Sequence, residues 1–410
     1  MTQPLIRFMN DLYVVHGAFS FTEEEYGQIA EDLDLFSITA QVYHMLKEKG
    51  RLGELPLFLQ DHLKRKAEAT LFQNLLLKTE TDRLLRLFEE AGLQVLLMKG
   101  IYFSERYYGG FGVRGTTDID LLIQPENLSA AAAIVETLGF ERFDESDASH
   151  HVVYTREGAA GRLPITVEIH WGLVEFRTAD IDYDLFWSQS LPLQNYVHIR
   201  RMNDSDTFYS ICLHGSQHRM NSIRYFLDVV HLLQNADVES VKKGVVQRAA
   251  REYTVKRMKT VLAAVDYLFP GLPVIVPVRP SVPPFWSYSL IRNVQQGHKG
   301  SRNALYILLY HLTQVYDRSA HTGAWFCNFL FPYVHPVLLG LDGVRSASRW
   351  KHFKSVYAER WKRLTRHVKM KKICLGDSLD GKKIQAPSRY GSHASGRGIR
   401  DYADEQAEHH

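Results

Sequence analysis

The sequence predicts an α+β protein: a small α/β unit embedded between N-terminal and C-terminal helical regions. Three observations predict it. Apolar residues recur at helical intervals through the first ninety positions, short apolar runs broken by glycine and proline replace them after Gly92, and helical periodicity returns from about residue 208. At 410 residues the chain exceeds one comfortable core and suits about two or three domains. Its 45% hydrophobic and 23% charged content is that of a chain able to fold around a core.

In the N-terminal helical region, 1–90, Thr22 and Glu25 have capping-box spacing, and helical patterns run through LFSITAQVYHMLKEKG and TDRLLRLFEEAGL. The α/β unit, 91–200, begins with QVLLMKG (94–100), a buried strand turning at glycine into IYFSERYY. The glycine-bearing loop GGFGVRGT leads to a second strand, TDIDLLI. Pro125 then opens a helix with Leu128, Ala131, Val135 and Leu138 on one face and Gly139 as its stop. GFERF, HVVYT and LPITVEIHW read as short strands, the last alternating Ile165, Val167 and Ile169 against Thr166, Glu168 and His170. A helical region, 201–272, packs on this core. A proline-rich connector (274–285), a C-terminal helical region (284–372) and a polar, Gly/Ser-rich tail (376–410) expected to be disordered complete the chain.

The net charge of +3 hides an asymmetry, because 345–372 holds eleven Lys or Arg against one acid, Glu359. That helix, with Trp350, Phe353, Tyr357, Trp361, Leu364 and Val368 as its apolar face, offers a surface to an anionic partner or simply a solvated basic face. Cys212, Cys327 and Cys374 are odd in number and far apart, which argues against a disulfide framework or zinc cluster and fits the cytoplasm. The N-terminus lacks the pattern of a secretion signal. The most membrane-like run, 324–341, contains Asn328, His335 and two prolines, so no transmembrane segment is expected and the run reads as buried helix and turn.

Asp-x-Asp is common in this chain, recurring at Asp32/Asp34, Asp180/Asp182/Asp184 and Asp204/Asp206. The first lies in a helix, where residues two apart diverge. The second reads as a solvated loop, and the third as the cap of a helix. Only Asp118/Asp120, in RGTTDIDLLI, heads an apolar strand, where a period of two puts both carboxylates on one face, roughly 6 to 7 Å apart. Glu168 interrupts the apolar alternation of ITVEIHW, and a neighbouring strand could bring it beside the pair. Three convergent acids make an oxygen-rich site for Mg²⁺. A solvent-facing sheet surface satisfies the same spacing.

LLMKG, RGTTDIDLLI followed by a Pro-initiated helix, and VEIHW together resemble the uncharacterised nucleotidyltransferase family of the polymerase-β-like superfamily. The resemblance covers residues from about 70 to 235. It implies a nucleotidyltransferase-type mixed sheet, with Asp118, Asp120 and Glu168 as ligands of Mg²⁺ or Mn²⁺, in two ions, and a nucleoside triphosphate (NTP) as substrate. Lys99-Gly100 stands where the wider superfamily has Gly-Ser, which leaves open how the phosphates are held.

The activity expected is transfer of a nucleoside monophosphate to a hydroxyl or phosphate of an acceptor, a small molecule, saccharide or peptide, with release of pyrophosphate. Lys99, Gly100, Arg114 and Thr117 are the expected nucleotide and phosphate contacts. A salt bridge to the same aspartates is the alternative for Lys99 and Arg114. His170, on the face of Glu168, is expected to orient the acceptor or act as base, unless it is a hydrogen-bonded core histidine. His150 and His151 resemble a histidine position in relatives. His214 and His218, with Arg224 and Asp228 on the next helix, resemble positions flanking the cleft; their spacing could also hold zinc, and structural packing explains them equally. Two rival readings remain at this stage. One is a nucleotide-sugar glycosyltransferase using Asp118/Asp120, which needs a nucleotide-binding βα region of about a hundred residues before the pair; the other is an inactive nucleotide-binding module.

Overall fold

Four helices precede the first strand: α1 (Pro4–Tyr13), α2 (Glu23–Leu35), α3 (Thr39–Glu48) and α4 (Leu57–Glu90). The capping box is formed, with Thr22 Oγ1 accepting from the Glu25 amide at 3.2 Å and Glu25 accepting from the Thr22 amide at 2.9 Å. In chain order there follow β1 (Val95–Leu97), α5 (Ile101–Tyr108), β2 (Asp118–Leu122), α6 (Leu128–Thr137), β3 (Glu141–Arg142), β4 (His151–Arg156) and β5 (Ile165–His170). After these come α7 (Tyr183–Gln189), β6 (Leu191–Pro192), β7 (Ile199–Arg201), α8 (Asp204–Gln217), α9 (Ile223–Asn235), α10 (Val238–Arg251) and α11 (Val255–Leu268). The last are α12 (Tyr288–Gln295), α13 (Ser301–Tyr310) and α14 (Ser319–Leu330).

The computed structural model describes residues 3–14, 17–143, 150–158, 164–270, 287–297 and 301–331. Nearly all of them lie in one compact unit, Met1–Arg156 with Ile165–Val356. The expected connector at 274–285, the basic helix of 345–372 and the tail from 376 lie outside the described residues. Among the described residues no helix is long and apolar enough to cross a membrane.

The seven strands form a mixed sheet in the order β3-β4-β5-β2-β1-β7-β6. β2 runs parallel to β5 and antiparallel to β1, while β1 runs parallel to β7. One sheet face is apolar: Ile119, Leu121, Ile123, Val152, Val167 and Ile169 pack with Leu77, Leu84, Leu85 and Phe88 of α4 and with Leu128, Ala131, Ala132 and Val135 of α6. Burying each such side chain is worth roughly 1.5–3 kcal/mol. A one-residue slip would turn this set to the other face, so the register is strongly specified. Alternation then fixes Asp118, Asp120, Glu168 and His170 on the opposite face, beneath the helices of the larger core built from α1–α3, α5, α8, α9 and α11.

Several local expectations need correction. Pro125 opens a 3-10 turn, Pro125–Asn127, rather than α6 itself. The aspartates of the 180s are exposed, and Asp180 and Asp182 lie in loop as expected, but Asp182 caps the unforeseen α7 by accepting from the Leu185 amide at 3.1 Å and Asp184 lies in that helix. Asn203, not an aspartate, caps α8, and Asp206 is buried against Arg248. Of the apolar run 324–341 only 324–331 is among the described residues; it forms the end of α14, where Trp325 is buried but Phe326, Phe329 and Phe331 are exposed.

Candidate active site

The site grows from the pairing of β2 with β5. In their parallel register Asp118 faces Thr166, Asp120 faces Glu168 and Leu122 faces His170. Adjacent strands thus bring two carboxylates side by side that are 48 residues apart in sequence numbering, as the distance from Asp120 to Glu168 counts. One donor atom from each of Asp120, Glu168 and His170 falls within 4.8 Å of the others. Asp120 is 1% exposed, and its Oδ2 has no hydrogen-bond partner among the described residues. A buried, half-satisfied carboxylate is costly to leave so. These three side chains could hold a cation.

Part of the compensation comes from Lys99, at the end of β1. Its Nζ lies 2.6 Å from Asp120 Oδ1 and 3.5 Å from Asp118 Oδ2. Burial would lower the ammonium pKa, but the charges of Asp118, Asp120 and Glu168 hold it above the usual lysine value. His170 Nε2 lies 3.1 Å from Glu168 and 3.3 Å from Asp120. Burial alone would lower its pKa; hydrogen bonds to the two carboxylates raise it instead, to about 9. Burial pushes Glu168 up, yet the His170 bond and the Lys99 charge bring it down to about 2. His170 therefore donates to the acids, and the general-base role expected for it does not fit this arrangement.

Gly100 connects Lys99 to α5 with φ of 95°, and a Cβ there would stand 3.3 Å from the Asp118 carbonyl oxygen. Only glycine takes this backbone without strain while lying so close to β2. α5 begins immediately after it without a side-chain cap, so its first amides remain available as donors. Thr117 is exposed at the entrance to β2, while its neighbour Thr116 is buried and donates to Asp118 at 3.3 Å.

The structure separates Arg114 from this centre. Its Nε and Nη2 donate to the two oxygens of Asp228 at 2.7 and 2.8 Å, and Tyr108 donates to the same carboxylate at 2.7 Å. All three are buried. Arg114 and Asp228 are thus partners of each other, not a free phosphate fork and a cleft-facing acid. The alternative salt bridge foreseen for Arg114 is real but has a different acid. Arg224 fares differently: its guanidinium donates to the Gly115 carbonyl at 3.3 Å and has no carboxylate partner among the described residues.

Histidines crowd the other edge of the site. His151 is the direct cross-strand neighbour of His170, and their ring centroids are 4.8 Å apart. His150 lies 4.7 Å from His151 and 6.2 Å from His170, centroid to centroid. Burial and the His170 charge lower His151 to about 4. His214 and His218 meet at 4.5 Å, and His218 stacks on Tyr225 at 5.2 Å. The convergence of His150 was not visible in sequence, since neighbours in a strand point apart. Only its place at the bend before β4 lets both rings face one way.

The profile of a family described as uncharacterised nucleotidyltransferase matches residues 35–269, more than half of the chain. The chain belongs to this family. The matched span runs from the end of α2 to the end of α11 and contains every residue placed at this site. The solution structure of the antibiotic-resistance factor ANT(2'')-Ia is similar to 42% of this nucleotidyltransferase and 93% of that chain, with 15% identity and a TM-score of 0.31. No curated protein matches. The glycosyltransferase alternative required a nucleotide-binding βα region ahead of Asp118; in this nucleotidyltransferase those residues form α1–α5 and the three-residue β1.

Proposed function

We propose that this nucleotidyltransferase transfers a nucleoside monophosphate from an NTP to a hydroxyl or phosphate of an acceptor, with release of pyrophosphate, in a cytoplasmic setting. The observation that carries the reading is the Asp120–Glu168 pairing across β2 and β5, with Asp120 Oδ2 buried and unpartnered. Asp118, on the same face and 28% exposed, is the third carboxylate of this reading, although the donor atoms that meet within 4.8 Å are those of Asp120, Glu168 and His170; carboxylate oxygens suit Mg²⁺ or Mn²⁺. When bound, such ions, two in the expected arrangement, neutralise triphosphate oxygens and lower the pKa of the acceptor hydroxyl.

The protein's own groups position and neutralise. Lys99, already among the acids, is near enough to turn its ammonium to a phosphate oxygen. Gly100 lets the chain approach closely, and the first amides of α5 supply donors to phosphate. Arg224 replaces Arg114 as the guanidinium for this task, because it lacks an acid partner among the described residues. Glu168, ionised across the neutral range, suits an ion ligand better than a proton acceptor. Thr117, His214 and His218 stand as contacts to nucleotide or acceptor. The acceptor is a small molecule, saccharide or peptide, and the basic segment 345–372 is a surface for an anionic one.

The test is incubation with Mg²⁺ or Mn²⁺, each labelled triphosphate and a cell extract, followed by pyrophosphate release and a mass search for nucleotidylated products. Asp118→Asn combined with Asp120→Asn should reduce turnover by at least about 10²- to 10³-fold with an unchanged circular dichroism spectrum. Undiminished turnover in that variant removes the reading.

A further inference from the structure

We propose that His150, His151 and His170 bind a transition-metal ion of the zinc class, at a site separate from the carboxylate site and meeting it at His170. Three features of the structure carry this. One ring nitrogen from each histidine falls within 4.8 Å of the other two. The Nδ1 atoms of all three are buried and have no hydrogen-bond partner among the described residues. The backbone is built to hold the cluster: the His150 carbonyl accepts from the Trp171 amide at 3.0 Å and the Gly172 amide at 3.1 Å, while His151 and His170 are paired in the β4–β5 ladder.

The chemistry of His170 distinguishes its two ring nitrogens. Nε2 faces Asp120 and Glu168, and a carboxylate accepts, so Nε2 carries the proton. An ion at Nδ1 displaces only the proton on that side and leaves the bonds to the acids intact. A histidine ligand commonly donates its far N–H to a carboxylate in this way, which orients the ring and raises its basicity. His170 is 6% exposed, so its Nδ1 otherwise pays for burial without return. Imidazole nitrogens suit Zn²⁺, Co²⁺ or Ni²⁺, whereas Mg²⁺ demands oxygen. Zinc–nitrogen distances are ~2.0–2.1 Å, so the three rings must turn to close on one ion. Three protein ligands leave a fourth tetrahedral position for water or an oxygen of a ligand.

Ion binding does not depend on the proposed transfer reaction, so the two fail separately. Full-length protein stripped with a chelator is titrated with Co²⁺ in the absence of nucleotide, and the visible ligand-field absorption is read. One Co²⁺ per chain with the intense bands of four-coordination is expected, displaced by Zn²⁺ and not by a large excess of Mg²⁺. His150→Ala and His151→Ala should each weaken binding by about 10- to 100-fold or more, since loss of an outer-shell partner alone costs that much. His214→Ala with His218→Ala should leave the bands in place. Bands that are absent, that survive both single variants, or that vanish with the His214/His218 pair overturn the proposal. X-ray absorption of the zinc-loaded wild-type protein needs no variant: imidazole scatterers are expected, and an oxygen-only shell also overturns it.

Discussion

Lys99 is the residue on which the electrostatics of the centre turn. It is 10% exposed and lies against Asp120, whose side chain is fully covered, so deleting the ammonium leaves that buried carboxylate with His170 as its remaining partner. Breaking such a pair costs about 3–5 kcal/mol. Lys99→Met should therefore lower thermal stability markedly, and added Mg²⁺ should recover more of it than in the wild type, because a divalent ion answers the same unmet charge. Thermal unfolding with and without Mg²⁺ reads both effects. Equal metal-induced shifts in the two proteins would show that no ion reaches Asp120. The period of two in TDIDLLI and ITVEIHW was enough to single out Asp118, Asp120 and Glu168 as a set, since alternation within a half-apolar strand leaves little choice of face. Arg114 was misjudged because a guanidinium beside two aspartates in sequence has no obligation to them in space.

At the level of elements, the Arg114–Asp228 pair ties the loop entering β2 to α9, with Tyr108 of α5 as third member. Asn74 of α4 holds the same loop through the Phe111 and Arg114 carbonyls at 2.6 and 2.7 Å. The mouth of β2 is thereby fixed by three helices. Arg114→Leu or Asp228→Leu alone should destabilise by about 3–5 kcal/mol by leaving one charge buried and unpaired. The double variant should cost less than the sum of the two, since it removes both charges. Denaturant melts in a double-mutant cycle measure the coupling; strict additivity would mean the pair does not interact. Long, strongly periodic elements such as α2, α3, α4 and α9 announce themselves in sequence. The strand GFERF marks β3, but β6 and α7 stay hidden, because two residues of strand or seven of helix carry too little period to distinguish them from loop.

Across the whole molecule, burial of neutral histidines sets the response to acid. His231, between Tyr13 and Tyr108, is lowered by burial from 6.5 to about 4. His311, stacked on Trp325 at 4.5 Å, is lowered by burial and nearby arginines from 6.5 to about 3. A depressed histidine is neutral in the fold and takes up a proton on unfolding. Its contribution is full above about pH 6.5 and is lost as pH falls through about 4 for His231 and about 3 for His311. Each costs about 1.4 kcal/mol per pH unit within its window. The melting temperature should thus fall steeply between pH 6.5 and 4, and His231→Phe or His311→Phe should flatten that slope. An unchanged slope in both variants would remove this account.

The amino-acid order alone determined the helical surround, the central α/β unit, the faces of β2 and β5 and the three acids, because hydrophobic periodicity is a local property and burial enforces it. It did not determine which charges meet. Partner choice among Arg114, Asp228, Lys99 and the clustered histidines depends on strand order, on a parallel register between segments far apart in the chain, and on the bend that turns His150 beside His151. Those are set by the packing of helices on both sides of the sheet, and Coulomb energies over a few ångströms are decided only once that packing exists.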